Sequence, residues 1–82
     1  MNKNEIIEKI TGIIKNNIDG AETLSIEPKT MLITSGYIDS FDIITLISVF
    51  EEIFNVQISF DDLNLEDFDT VSSIADIIIS KQ

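Results

Sequence analysis

The sequence predicts an all-α fold: a small four-helix bundle of three main helices plus one short helix, with a long loop between helices 1 and 2. Three observations lead there. Apolar residues recur at helical spacing in three separate segments, good N-capping residues open the later two, and the stretch between the first two holds no helical period. At 82 residues the chain suits one domain, expected to span 1–82. A domain of this size buries only roughly 60–65% of its unfolded surface, so its 44% apolar content must be used efficiently.

The first helix is expected over about Asn4–Asn17, with Ile6, Ile7, Ile10, Ile13, Ile14 and Ile18 on one face and Glu5, Glu8, Lys9 and Lys15 on the other. Gly12 weakens it and Asp19-Gly20 ends it. Asp19 to Asp39 reads as a loop. Loops of that length in small domains are functional or held down by their own apolar side chains, and Leu24, Ile26, Met31, Leu32 and Ile38 are expected to be those anchors.

The second helix has the clearest start. Asp39 is a good N-cap, and Asp42 three residues later gives a variant of the capping box. Phe41, Ile44, Ile47, Phe50 and Phe54 are expected as its buried stripe, supported by Leu46 and Ile53, and Asn55 closes it. The acidic stretch Phe60 to Asp69 is expected to form one or two helical turns, with Asn64 as cap and Leu65 and Phe68 facing inward. Thr70 caps the last helix, which carries Val71, Ile74, Ile77 and Ile78 to about Ser80.

The residues that are missing narrow the function. The chain has no cysteine and no histidine, so disulfides, thiolate nucleophiles, Ser/His/Asp catalysis and His-based metal sites cannot be assembled. Its net charge of −10, from fifteen acidic and five basic residues, repels nucleic acid and anionic lipid and suits partners with basic docking patches. No apolar run approaches a membrane span, and the N-terminus lacks a signal-peptide core. A cytoplasmic, monomeric protein that is not an enzyme is expected. A calcium loop fails on spacing. Asn17, Asp19 and Gly20 fit an EF-hand, but Lys15 and Ile26 fall on ligand positions; counting from Asp62 puts Asp67 where glycine is needed and Ser73 where glutamate is needed.

Ser40 sits in the first turn of the second helix, directly after its cap. Backbone N–H groups and the positive end of the helix dipole favour a phosphate there, although a serine beside an N-cap is also ordinary helix-start chemistry. Gly36-Tyr37-Ile38-Asp39-Ser40-Phe41, followed by Ile43-Ile44-Thr45-Leu46-Ile47 and Glu51-Glu52-Ile53-Phe54, resembles the acyl carrier protein family. The resemblance covers nearly the whole chain, including Ile58 after the second helix and Thr70-Val71 at the start of the last.

The resemblance implies that Ser40 receives a covalent 4'-phosphopantetheine arm from coenzyme A, attached by a phosphopantetheinyl transferase that recognises the adjacent Asp39. The arm's thiol would carry acyl or aminoacyl groups as thioesters to and from activating ligases, synthases and transferases. Asp42, Ile43, Leu46, Glu51 and Glu52 are the candidates for partner docking; for Ile43, Leu46 and Val49 the first expectation is that they line the core or the cargo space, with a docking patch as the alternative. The alternative is a helical interaction module with the carrier fold and no arm. Three departures from the family pattern stand out. Phe41 replaces the usual leucine, its ring expected to face the core; Gly36 lies three residues before Asp39 rather than two; and Thr45 stands where fatty-acid carriers place a glutamate. These resemble stand-alone carriers of D-alanine or specialised acids more than the fatty-acid type.

Overall fold

The computed structural model describes residues 2–59 and 64–82. Asn2 starts the first helix, its side chain accepting the Glu5 backbone N–H at 2.9 Å. Helix α1 therefore runs Lys3–Asn17, one residue earlier than periodicity alone suggests. Ile6, Ile10, Ile13, Ile14 and Ile18 are buried and Ile7 packs at the margin. At the far end Gly20 takes a left-handed backbone (φ 84°), which turns the chain into a short 3₁₀ turn, Ala21–Thr23.

Of the expected loop anchors, Leu32 and Ile38 are buried, and Leu24 and Ile26 pack against the core. Met31 does not anchor: it is 54% exposed. Leu32 turns inward at the next position of the same turn, and Ile33 supplies the neighbouring apolar contact instead.

Helix α2 spans Ser40–Phe54 and ends at Asn55, whose left-handed backbone (φ 55°) closes it. Its buried face differs from the expected one. Ile43, Leu46, Ile47, Phe50 and Phe54 are inside, whereas Phe41, Ile44 and Ile53 are exposed at 78%, 49% and 48%. The reason lies in the composition of α2, which is apolar on more than one side. The i, i+3, i+4, i+7 set beginning at Ile43 forms the one continuous stripe a core can take. At about 100° per residue, Phe41 lies about 160° round the helix from Ile43, so burying one exposes the other.

The expected short helix in the acidic stretch is a 3₁₀ turn, Leu65–Phe68; residues 60–63 of that expectation lie outside the described residues. Asn64 precedes the turn without a side-chain cap bond. Phe68 is buried but Leu65 is 51% exposed, because only the C-terminal end of this single turn reaches the core. Helix α3, Val71–Lys81, begins where the Thr70 hydroxyl accepts the Ser73 N–H at 3.1 Å. It buries Val71, Ile74, Ala75 and Ile78, with Ile77 at the margin. Helix α1 packs on both α3 and α2, and an exposed Lys3–Asp76 ion pair (2.9 Å) joins α1 to α3 at the surface, where such pairs add little. Every buried side chain among the described residues is apolar. No helix among them is long and apolar enough to cross a membrane.

Candidate functional site

The start of α2 is built by reciprocal carboxylates. The Asp42 N–H donates to Asp39 Oδ1 at 2.9 Å, and the Asp39 N–H donates to Asp42 Oδ2 at 3.1 Å. The Ile43 N–H is taken by the Asp39 carbonyl at 3.1 Å. Ser40, the first residue of the helix, is exposed between them. Its hydroxyl is open to a modifying enzyme, and the helix dipole favours negative charge at that end. A phosphodiester on Ser40 therefore fits, with the two capping carboxylates turned to backbone N–H groups.

The approach to Ser40 is fixed from a distance. Asp69, just before α3, reaches back across the molecule to the loop. Its Oδ1 accepts the N–H groups of Ile33 (2.7 Å) and Thr34 (2.9 Å), and its Oδ2 accepts the Thr34 hydroxyl at 2.6 Å. The Asp69 carbonyl also accepts the Leu32 N–H at 2.6 Å, and the Pro28 carbonyl accepts the Ser72 N–H at 2.9 Å. The Leu32 carbonyl in turn accepts the N–H groups of Tyr37 (2.9 Å) and Ile38 (3.1 Å), folding residues 32–38 into a closed turn. Gly36 makes that reversal, with φ 82° in the region glycine tolerates best. Two residues after Ile38 comes Ser40. The Thr34 hydroxyl and then the Thr34 N–H hold the Asp69 carboxyl below its ordinary value, against an opposing effect of burial and with a lesser contribution from the Ile33 N–H.

The residues expected to meet partners divide. Ser40 and Asp39 are exposed and adjacent; Asp42 is half-buried and committed to the cap; Glu52 is exposed. Glu51 Oε2 accepts the Ile58 N–H at 3.0 Å, holding the chain that leaves α2. Ile43 and Leu46 lie in the core, at 2% and 0% exposure, so neither presents a docking surface; Val49 packs at the core margin. Phe41, expected inside, is instead the most exposed large apolar side chain described. Tyr37 holds the loop through its backbone N–H, while its ring is 45% exposed.

Two hollows lie elsewhere. One of about 490 Å³ is lined by Asn4, Ile7, Glu8, Thr11, Ile26 and Pro28. The other, about 120 Å³, lies against Ile33, Thr34, Leu65, Glu66 and Asp69, beside the clasp that holds the loop. Neither includes Ser40. Among the described residues no cluster of carboxylates is arranged to hold a metal ion; Asp62, the start of the second calcium-loop count above, lies outside them.

Asp69 and Thr34 carry no local signal in the sequence, because their contacts span 35 and 36 residues. The exposure of Phe41 follows once packing has chosen the Ile43 stripe as the buried face of α2.

No curated protein matches the chain. A family model described as a phosphopantetheine attachment site matches residues 5–78, a span that includes the capped starts of α2 and α3 and the Asp69 clasp. With a reachable serine at the head of a dipole-favoured helix and a match over almost its whole length, the chain belongs to the phosphopantetheine-attachment family of carrier proteins, the family of the acyl carrier proteins, and is a carrier of covalent 4'-phosphopantetheine.

Proposed function

We propose that Ser40 is the attachment residue and that the protein carries acyl or aminoacyl intermediates of a dedicated biosynthetic pathway. The observation that supports this most is the exposure of Ser40 as the first residue of α2 within the matched span. The Ser40 oxygen forms a bond to the pantetheine-side phosphorus of coenzyme A, the bond from that phosphorus to the adenosine bisphosphate breaks, and the hydroxyl proton passes to the transferase. The chain has no histidine to act as base, so proton transfer belongs to the partner. Once attached, the arm supplies the thiol on which cargo is held as a thioester. The protein's part is to hold Ser40 in one place, keep the helix start accessible and offer surfaces for the enzymes that load and unload it.

Intact-mass measurement after incubation with coenzyme A and a broad-specificity phosphopantetheinyl transferase tests the assignment. Wild-type protein should gain one arm. Ser40→Ala should gain none while its circular dichroism stays helical, since Asp39 still caps α2. Loading of the alanine variant would move the attachment elsewhere. No loading of wild-type protein, under conditions that load a control carrier, would favour an armless interaction module.

A further inference from the structure

The loop that leads to Ser40 has little hold of its own on the molecule. Leu32 and Ile38 are buried at its two ends. Between them Ile33 packs only at the core margin, and Thr34, Ser35, Gly36 and Tyr37 are exposed. The Ser35, Gly36 and Tyr37 N–H groups donate within the same segment, to the carbonyls of Met31, Ile33 and Leu32. Gly36 has open space where a Cβ would stand, so it adds no contact. Among the described residues, every hydrogen bond that ties 33–37 to the rest of the molecule ends on the Asp69 carboxyl: the Ile33 N–H, the Thr34 N–H and the Thr34 hydroxyl. The cap that opens α2 does not replace this hold. Its two Asp39–Asp42 bonds are exposed, and a helix end held only by bonds open to water frays.

We propose that Asp69, acting through Thr34, is a positioning residue for phosphopantetheinyl transfer: its clasp holds the loop and the first turn of α2 in the arrangement over which a transferase can close on Ser40. The inference rests on attachment at Ser40. Asp69 takes no part in the bond changes; it sets the fraction of carrier molecules that a transferase can bind. With the clasp open the loop samples other shapes, the competent fraction falls, and apparent affinity falls in proportion. A molecule that does bind has its loop restored, so the transfer step keeps its rate. The signature is a rise in KM without a loss of kcat.

The test is the kinetics of loading with coenzyme A and a broad-specificity transferase, read by intact mass for wild type, Asp69→Ala, Thr34→Val, Thr34→Ser and, as a control, Ile78→Val. Ile78 is buried in α3, so trimming it lowers stability without touching the clasp. Each is measured under conditions where denaturant titration shows it fully folded. Asp69→Ala should raise KM for the carrier about ten-fold, with kcat within about twofold of wild type. Thr34→Val loses the hydroxyl bond but keeps both N–H bonds, and should raise KM about threefold. Thr34→Ser, which keeps the hydroxyl, should recover most of that loss, and Ile78→Val should match wild type. Hydrogen exchange at the N–H groups of residues 33–40 should quicken in Asp69→Ala and not in Ile78→Val. If Asp69→Ala does not fold, the two Thr34 variants decide. An unaltered KM in folded Asp69→Ala, or in Thr34→Val where the alanine variant does not fold, would reduce the clasp to a stabilising contact and leave attachment at Ser40 intact. An equal rise in Ile78→Val, or a fall in kcat at constant KM, would do the same. Failure of wild-type protein to load at all would overturn both.

Discussion

Helices α2 and α3 begin with the same device and use it differently. Each has a polar cap whose side chain accepts the N–H three residues on: Asp39 from Asp42, Thr70 from Ser73. At α3 the residue after the cap is Val71, fully buried, and the residue before it is Asp69, which clasps the loop 35 residues away. At α2 the residue after the cap is the exposed Ser40 and the next is the exposed Phe41. One start is tied into the core on both sides, and the other is left open toward solvent. A helix N-terminus serves as a structural joint when its neighbours are apolar and inward, and as a reaction platform when they are reactive and outward.

The contrast can be broken most strongly at Asp69. Asp69→Ala strands the Ile33 and Thr34 N–H groups and the Thr34 hydroxyl, and should lower unfolding free energy by about 2–3 kcal/mol in denaturant titration. The same carboxyl gives a pH signature. Its folded pKa lies below the unfolded value of 3.8, so its contribution is complete well above that value and is lost as pH falls through it toward the folded pKa. Asp69→Asn should accordingly flatten the acid limb of stability below about pH 5. An acid limb identical to wild type would show that the clasp contributes nothing.

Thr70→Ala should cost about 1 kcal/mol, since the hydroxyl caps a helix whose first residue is core. Asp39→Ala should cost less, about 0.5 kcal/mol, because water can reach the N–H it leaves behind. If Asp39→Ala proved the more damaging of the two, the start of α2 would be a structural joint after all.

Much of this was legible in the sequence because it is local. The caps Asp39 and Thr70, the closure at Asn55 and the isoleucine stripe of α1 all depend on residues within a turn of one another. So did Ser40 as a residue at the helix start. The phase of α2 was harder: with Phe41 and Ile44 as apolar as Ile43 and Leu46, composition cannot choose a face, and the choice falls to tertiary packing. Met31 and Leu65 misled for a related reason, since in short turns hydrophobicity does not say which neighbour points inward. The clasp at Asp69 could not be read at all, because an aspartate before a capping threonine looks like any acidic surface residue until the loop folds onto it.

The closed turn at Leu32 has a consequence for timing. Ordering the seven residues 32–38 costs on the order of 10 kcal/mol in chain entropy, and here that cost is met during folding, by the Asp69 clasp and the two N–H groups gathered on the Leu32 carbonyl. With attachment at Ser40 as proposed, a partner arriving there does not have to immobilise the segment that leads to it. Its binding can stay weak and brief and still find the serine in one orientation, which suits a protein that must be released by each enzyme in order to reach the next.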